Sequence, residues 1–339
     1  MMLGLAGLLC LSVACSGPQE APATTAEAAP SGLLLVANKG DQSLGIIDPV
    51  EGVQVATVPE GGVTGHEVIA SPDGKTAYVP IFGNSGVGKP GTDGTKIVVV
   101  DIPSRKVVGD IDFGHGVRPH CPMVGPKDGM LYVTTEIENS VSIIDPKTLK
   151  VVGSIPTGQP ESHMLTLSKD GTRAYTANVG PGTVSVLDLE ARKPIATIAI
   201  SGNTQRISLS PDDKLLFTSD QTAPRLAVID TATNAIKQWV DLPGTGYGTA
   251  ATPDGKWLVI PMPKINKVGV LNLETMTLDH TIDVPSTPQM ALVRPDGKMA
   301  YVSCDIDGKV AAIRTSDWKV DKLIDAGDHA DGLAWAPGA

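Results

Sequence analysis

The chain has 339 residues, 41% of them hydrophobic, enough for a substantial core in one large or two ordinary domains. Its formal charge of −10 leaves no basic footprint, which argues against nucleic acid as a partner, and aromatic residues at 4% offer few stacking platforms for sugars or bases. The 37 Gly and 27 Pro recur at intervals, as in a chain built from many tight turns.

Leu3 to Val13 is an apolar run too short to span a bilayer as a stable helix, and it leads into Ser12-Val13-Ala14-Cys15. This resembles the signal of a bacterial lipoprotein, which implies lipid on Cys15 and a place in the cell envelope, on the periplasmic face or the cell surface. Ser12 stands where Leu is usual and no Lys or Arg precedes the run; a plain secretory signal is the alternative. The segment SGPQEAPATTAEAAPS follows without hydrophobic periodicity and reads as a disordered tether. The expected organisation is a signal over 1–15, a tether over 16–32 and one folded unit over 33–339.

From there the sequence repeats. Ser71-Pro72-Asp73-Gly74 returns as Ser168-Lys169-Asp170-Gly171, Ser210-Pro211-Asp212-Asp213, Thr252-Pro253-Asp254-Gly255 and Arg294-Pro295-Asp296-Gly297, with looser copies at 127–129 and 336–338. Pro second and Gly fourth suit a type I turn, because Pro presets φ and Gly relieves the exit. Each turn precedes a short strand such as TAYVP or RAYTA, then a β-branched run such as SIIDP or SVLDL, then two more runs. Asp101, Asp145, Asp188, Asp230, Asn272 and Arg314 keep one place in a period of 42 to 44 residues. Four-stranded units at this period cannot bury both faces alone, and stacked radially they make an all-β, seven-bladed β-propeller of antiparallel sheets. Leu33–Ala37 matches the second strand of a unit and Gly332–Trp335 matches a first strand, so the two ends of the chain should share a blade and close the ring. Removing the last ten or so residues should open it.

TAYVP, LYVTT and AYVSC, each with its β-branched run and SPDG-type turn, resemble the YVTN-family β-propeller repeat over about 34–337. The resemblance implies a rigid, monomeric repeat protein that binds a protein or small molecule. More distant propellers of this kind hold haem, as in cytochrome-cd-type nitrite reductase, or hydrolyse lactones.

Three motifs dissolve in this register. GNSGVGKP, residues 83–90, is one letter from a phosphate-binding loop, but it lies between two strands of a blade, no helix follows, and Pro90 removes the Mg²⁺-binding hydroxyl. It is expected to be a flexible blade-edge loop. His66-Glu67-Val68-Ile69 begins like a metalloprotease helix but sits on a strand with Ala70 in the fifth place. Asp305-Ile306-Asp307-Gly308 starts like a calcium loop, lacks the twelfth-position Glu, and reads as a hairpin turn.

Counting eight residues back from each turn Gly aligns His66, His163, Gln205, Tyr247, Gln289 and Asp331; His120 joins if its blade carries one extra residue near Pro126. These seven should ring the entrance of the axial channel, where the family repeat usually has a small or apolar residue. Arg118 and Arg206 lie beside the ring and could hold an anion. Three readings stand open. The first is a binding or scaffold module with its ligand or protein partner at the channel mouth. The second is a redox protein that uses His66, His120 and His163 for a transition metal or haem. The third is a lactonase-like hydrolase recruiting Glu161, His163 and Arg206. Alternation places Cys121 and Met123 opposite His120, so they pack between blades, and Cys121 and Cys304 are expected to be buried thiols. His115, His280 and His329 fall at edges or loops without a nameable partner.

Overall fold

The computed structural model of the chain describes Met1, residues 31–84 and residues 86–338. The expected signal, most of the expected tether and Cys15 lie outside the described residues. The rest forms seven four-stranded antiparallel sheets and a single turn of 3-10 helix at Pro263–Ile265. This is the seven-bladed propeller that the period requires.

Closure follows the phase of the repeat. The last strand, β28 (Ala330–Pro337), pairs antiparallel with β1 (Gly32–Asn38), so both ends of the chain complete one blade. The cores lie between sheets. Leu35, Ile46, Val79, Val98 and Ala334 form one such layer between neighbouring blades, all buried. Short β-branched side chains suit this setting, since each sheet presents an apolar layer on both faces and can find it a partner only in the next blade.

The turns are built from the residues that announced them. In the first copy the Gly74 N–H bonds the Ser71 carbonyl at 2.9 Å and Gly74 has φ +68°. The Ser71 hydroxyl donates to Asp73 at 2.6 Å and accepts the Thr76 N–H at 3.0 Å. Asp213 replaces the Gly in one copy and still adopts φ +59°. The blade of β8 (Pro119–Val124) has the wider turn that its alignment required, closed by Gly129 N–H on the Gly125 carbonyl at 2.9 Å.

The outer edges are treated alike. In every blade the outermost strand carries a one-residue register shift at the same place, from Val55 in the first blade to Asp321 in the last. Such bulges twist an exposed edge away from pairing with another chain.

The loop that resembles a nucleotide site joins β5 (Thr76–Gly83) to β6 (Asp93–Asp101), without a helix after it. It is a blade-edge loop, as expected, with two ties to the next blade. The Gly88 N–H donates to Glu136 at 3.0 Å and the Lys89 carbonyl accepts from Arg118 at 2.7 Å, so the loop is tied across the neighbouring blade. It lies on the face where the innermost strands begin, here called the mouth face; the SPDG-type turns occupy the opposite, turn face.

Candidate binding site at the channel mouth

The equivalence of the seven ring positions holds in three dimensions. His120, His163, Gln205, Gln289 and Asp331 are each the second residue of their innermost strand: β8, β12 (Ser162–Leu167), β16 (Thr204–Leu209), β24 (Pro288–Val293) and β28. His66 and Tyr247 each stand three residues before the short strands β4 (Ile69–Ala70) and β20 (Ala250–Ala251).

On one side of the ring the three histidines meet. The rings of His120 and His163 pack closely, tilted by 35° with centroids 3.7 Å apart, and His66 meets His120 edge-on at 5.5 Å. Phe82, at the end of β5, fits among them at 5.1 Å from His66 and 5.3 Å from His120. Burial lowers all three imidazole pKa values, His66 to about 4 and the other two well below the usual value, so they stand neutral at pH 7. His120 is 1% exposed, and neither of its ring nitrogens has a hydrogen-bond partner among the described residues. A neutral imidazole carries one donor and one acceptor, so this one leaves both unused.

This packing does not suit one metal ion on three imidazoles. Two rings on an ion at about 2 Å and a tetrahedral angle hold their centroids about 5 Å apart; those of His120 and His163 lie only 3.7 Å apart, with the rings tilted by 35°. Among the described residues, no group of three His, Cys, Asp or Glu side chains is placed to hold a metal ion. Cys121 and Cys304 are buried free thiols, and Cys121 with Met123 packs into an interblade cluster.

The other side of the ring is charged. Arg206 is buried and donates to Glu67 at 2.5 Å and to Asp331 at 2.8 Å; Lys39 approaches Asp331 at 3.1 Å, and His66 stands 4.0 Å from the same carboxylate. Burial works against charge on Asp331, but Arg206 and Lys39 outweigh it and hold its carboxyl below the usual range. Glu67 shares one guanidinium with Asp331, and burial pushes it up to about 7. Arg206 also lies over the Tyr247 ring at 4.8 Å, and the Tyr247 hydroxyl donates to Gln205 at 2.7 Å. Gln289 turns outward to Asp305 at 3.3 Å. Next to this side a cleft of about 240 Å³ opens between Gln221, Thr245, Tyr247, Lys264 and Gln289.

Neither arginine is free to hold an anion. The two terminal nitrogens of Arg206 are taken up by two carboxylates, its Nε being buried without a partner among the described residues, and Arg118 bonds Asp93 at 2.6 Å and Glu136 at 2.9 Å while it carries the Lys89 carbonyl. Arg118 holds Lys89 of the β5–β6 loop, and its guanidinium lies 5.8 Å from the ring of Phe82, which packs among the histidines. Glu161 accepts the Gly180 N–H at 2.7 Å, so the acid, the closely packed His163 and the paired Arg206 are each engaged elsewhere. The remaining histidines have partners after all: His115 meets Glu138 at 3.0 Å, His329 meets Asp305 at 2.8 Å, and His280 lies near Trp257 and Trp318.

Sequence reasoning missed Lys39, Phe82 and the role of Glu67. Glu67 carried a weak signal, since an acid next to a ring position must either leave the strand face or be paired inside it.

No family model matches the chain, and no curated protein matches it. Among solved structures it is similar to a functionally unknown protein from Desulfotomaculum acetoxidans DSM 771, at 12% identity and TM-score 0.75, over 91% of this chain and 100% of that one. It is also similar to Kuenenia stuttgartiensis hydrazine synthase, at 19% identity and TM-score 0.50, over 74% of this chain and 96% of that one. At these identities the likeness is one of fold.

Proposed function

We propose that the chain is a cell-envelope binding module of the YVTN-repeat kind, held to its membrane through lipid on Cys15, whose working surface is the mouth of the axial channel. The ligand is small and polar, and it is recognised by hydrogen bonds from the ring residues. One observation carries this reading: both His120 ring nitrogens are buried without a partner at the level where six other polar side chains gather. A buried polar group left unpaired costs about 1–3 kcal/mol, and a chain that keeps one at a channel entrance has a use for it. The cleft beside Tyr247 and Gln289 gives such a ligand a way in from solvent.

The anchoring half of the reading agrees with where the chain enters the ring. Gly32 pairs with Pro337 at the turn-face end of β28, so the chain enters the ring on the face opposite the mouth and an anchor there leaves the mouth unobstructed. Metabolic labelling with palmitate tests it: label should be lost in Cys15→Ala. The binding half is tested by thermal unfolding against a panel of amino acids, hydroxy acids and small polyols. At least one compound should raise the Tm of the parent protein and leave His120→Phe unmoved. A panel that moves both proteins equally, or neither, refutes the small-ligand site.

A further inference from the structure

The charge of the molecule is not spread evenly. Of 37 acidic residues two precede the described ring and sixteen lie in the hairpins, crossovers and flanking strand ends of the mouth face, which leaves nineteen elsewhere. Of 27 basic residues nine lie on the mouth face, which leaves eighteen elsewhere. The net negative charge of the ring therefore belongs almost entirely to one face, and the remainder of the disc is close to balanced.

Much of that charge meets solvent. Asp41, Asp112, Glu138, Asp241, Asp307 and Asp328 are exposed around the mouth, against two exposed cations, Lys89 and Lys264. Asp283 and Asp325 are exposed too, each paired with a neighbouring lysine, Lys267 and Lys309. Apolar knobs stand among them. Ile137 is 46% exposed and Ile306 58% exposed at the tips of two hairpins, in the contexts Glu136-Ile137-Glu138 and Asp305-Ile306-Asp307; Ile265, at a third tip, is 36% exposed. Within this circle lies His120, buried and unpartnered.

From this polarity we infer that the mouth face docks a basic protein, one whose lysine- and arginine-rich patch covers the channel entrance. The charges steer and orient the encounter, and the isoleucines supply the desolvated contacts that hold it. A small cation would need converging ligands at one point, whereas these carboxylates are spread around the whole rim of the mouth. A nucleic acid would be repelled. The inference does not depend on the small-ligand site: it stands on exposed residues outside the ring.

Lysozyme, a small basic protein, serves as the probe. Its binding to the full folded chain is measured at low and moderate ionic strength, and carboxyl-to-lysine cross-links are mapped. Cross-links should concentrate on Glu138, Asp307 and Asp328. The triple variant E138Q/D307N/D328N should bind about tenfold more weakly with a shallower salt dependence. The variant E51Q/E190Q/E274Q removes the same charge from exposed turn-face and edge positions and should bind as the parent does. Ile137→Ser with Ile306→Ser should weaken binding with the salt dependence unchanged. Equal losses in the two charge variants, cross-links spread over both faces, or no binding at low salt would each overturn the inference. A failed ligand panel with His120→Phe would leave these outcomes as they are, so the two readings can fall separately.

Discussion

The two sides of the channel mouth solve the burial of polar groups in opposite ways. On the arginine side every charge has an answering charge: Arg206 between Glu67 and Asp331, with Lys39 against Asp331. On the histidine side the groups shed their charge, pack closely on one another and against the edge of Phe82, and leave His120 without any hydrogen bond. The contrast shows that equivalent positions in a repeat fix height and not chemistry. A paired charge is a closed account, while a neutral unpaired imidazole remains available to something else.

Breaking the arginine side should have the largest effect. Arg206→Met leaves Glu67 and Asp331 buried without their shared cation, and equilibrium unfolding in denaturant should show a loss of about 3–5 kcal/mol. A loss below 1 kcal/mol would mean that water already reaches these carboxylates. His120→Phe should go the other way and stabilise the unliganded protein by about 1–3 kcal/mol, because it removes an unsatisfied group and keeps the ring packing. Destabilisation in the same measurement would show that His120 has a structural partner.

The pH dependence separates the two sides next. The histidines have folded pKa values below their unfolded ones, so the unfolded chain binds more protons between about pH 4 and 6.5 and stability rises with pH through that window. Glu67 and Glu60, raised by burial to about 7, act with the opposite sign: the folded chain binds the extra proton, and stability falls as pH rises from the carboxylate range toward 7. Glu67→Gln should therefore steepen the rise between pH 4.5 and 6.5, as read from midpoints of denaturant unfolding. A flatter profile would contradict the assignment. The smallest change is Tyr247→Phe, which loses one hydrogen bond to Gln205 and should cost about 0.5–1.5 kcal/mol.

Much of this was legible in the sequence. The 42-to-44-residue step and the SPDG-type turns require the ring of blades, and the phase of Leu33–Ala37 against Gly332–Trp335 requires its closure. Counting back from each turn found the seven mouth residues, because strands of one register place equal offsets at equal height. The partners of those residues were not legible. Arg206 meets Glu67 across 139 positions of sequence and Asp331 across 125, and such pairings depend on side-chain directions that no repeat encodes. The same holds for the 84–92 loop, whose glycines and lysine gave no hint that buried Arg118 would hold it across the next blade.

The account rests on His120 and His163 being neutral, in close ring contact and hidden at the channel mouth. Nuclear magnetic resonance of ring-labelled histidine, followed from pH 8 to pH 5, addresses that directly. The account predicts two imidazoles that stay neutral throughout and show close mutual ring contact. Titration of both near pH 6.5, with no contact between the rings, would contradict it.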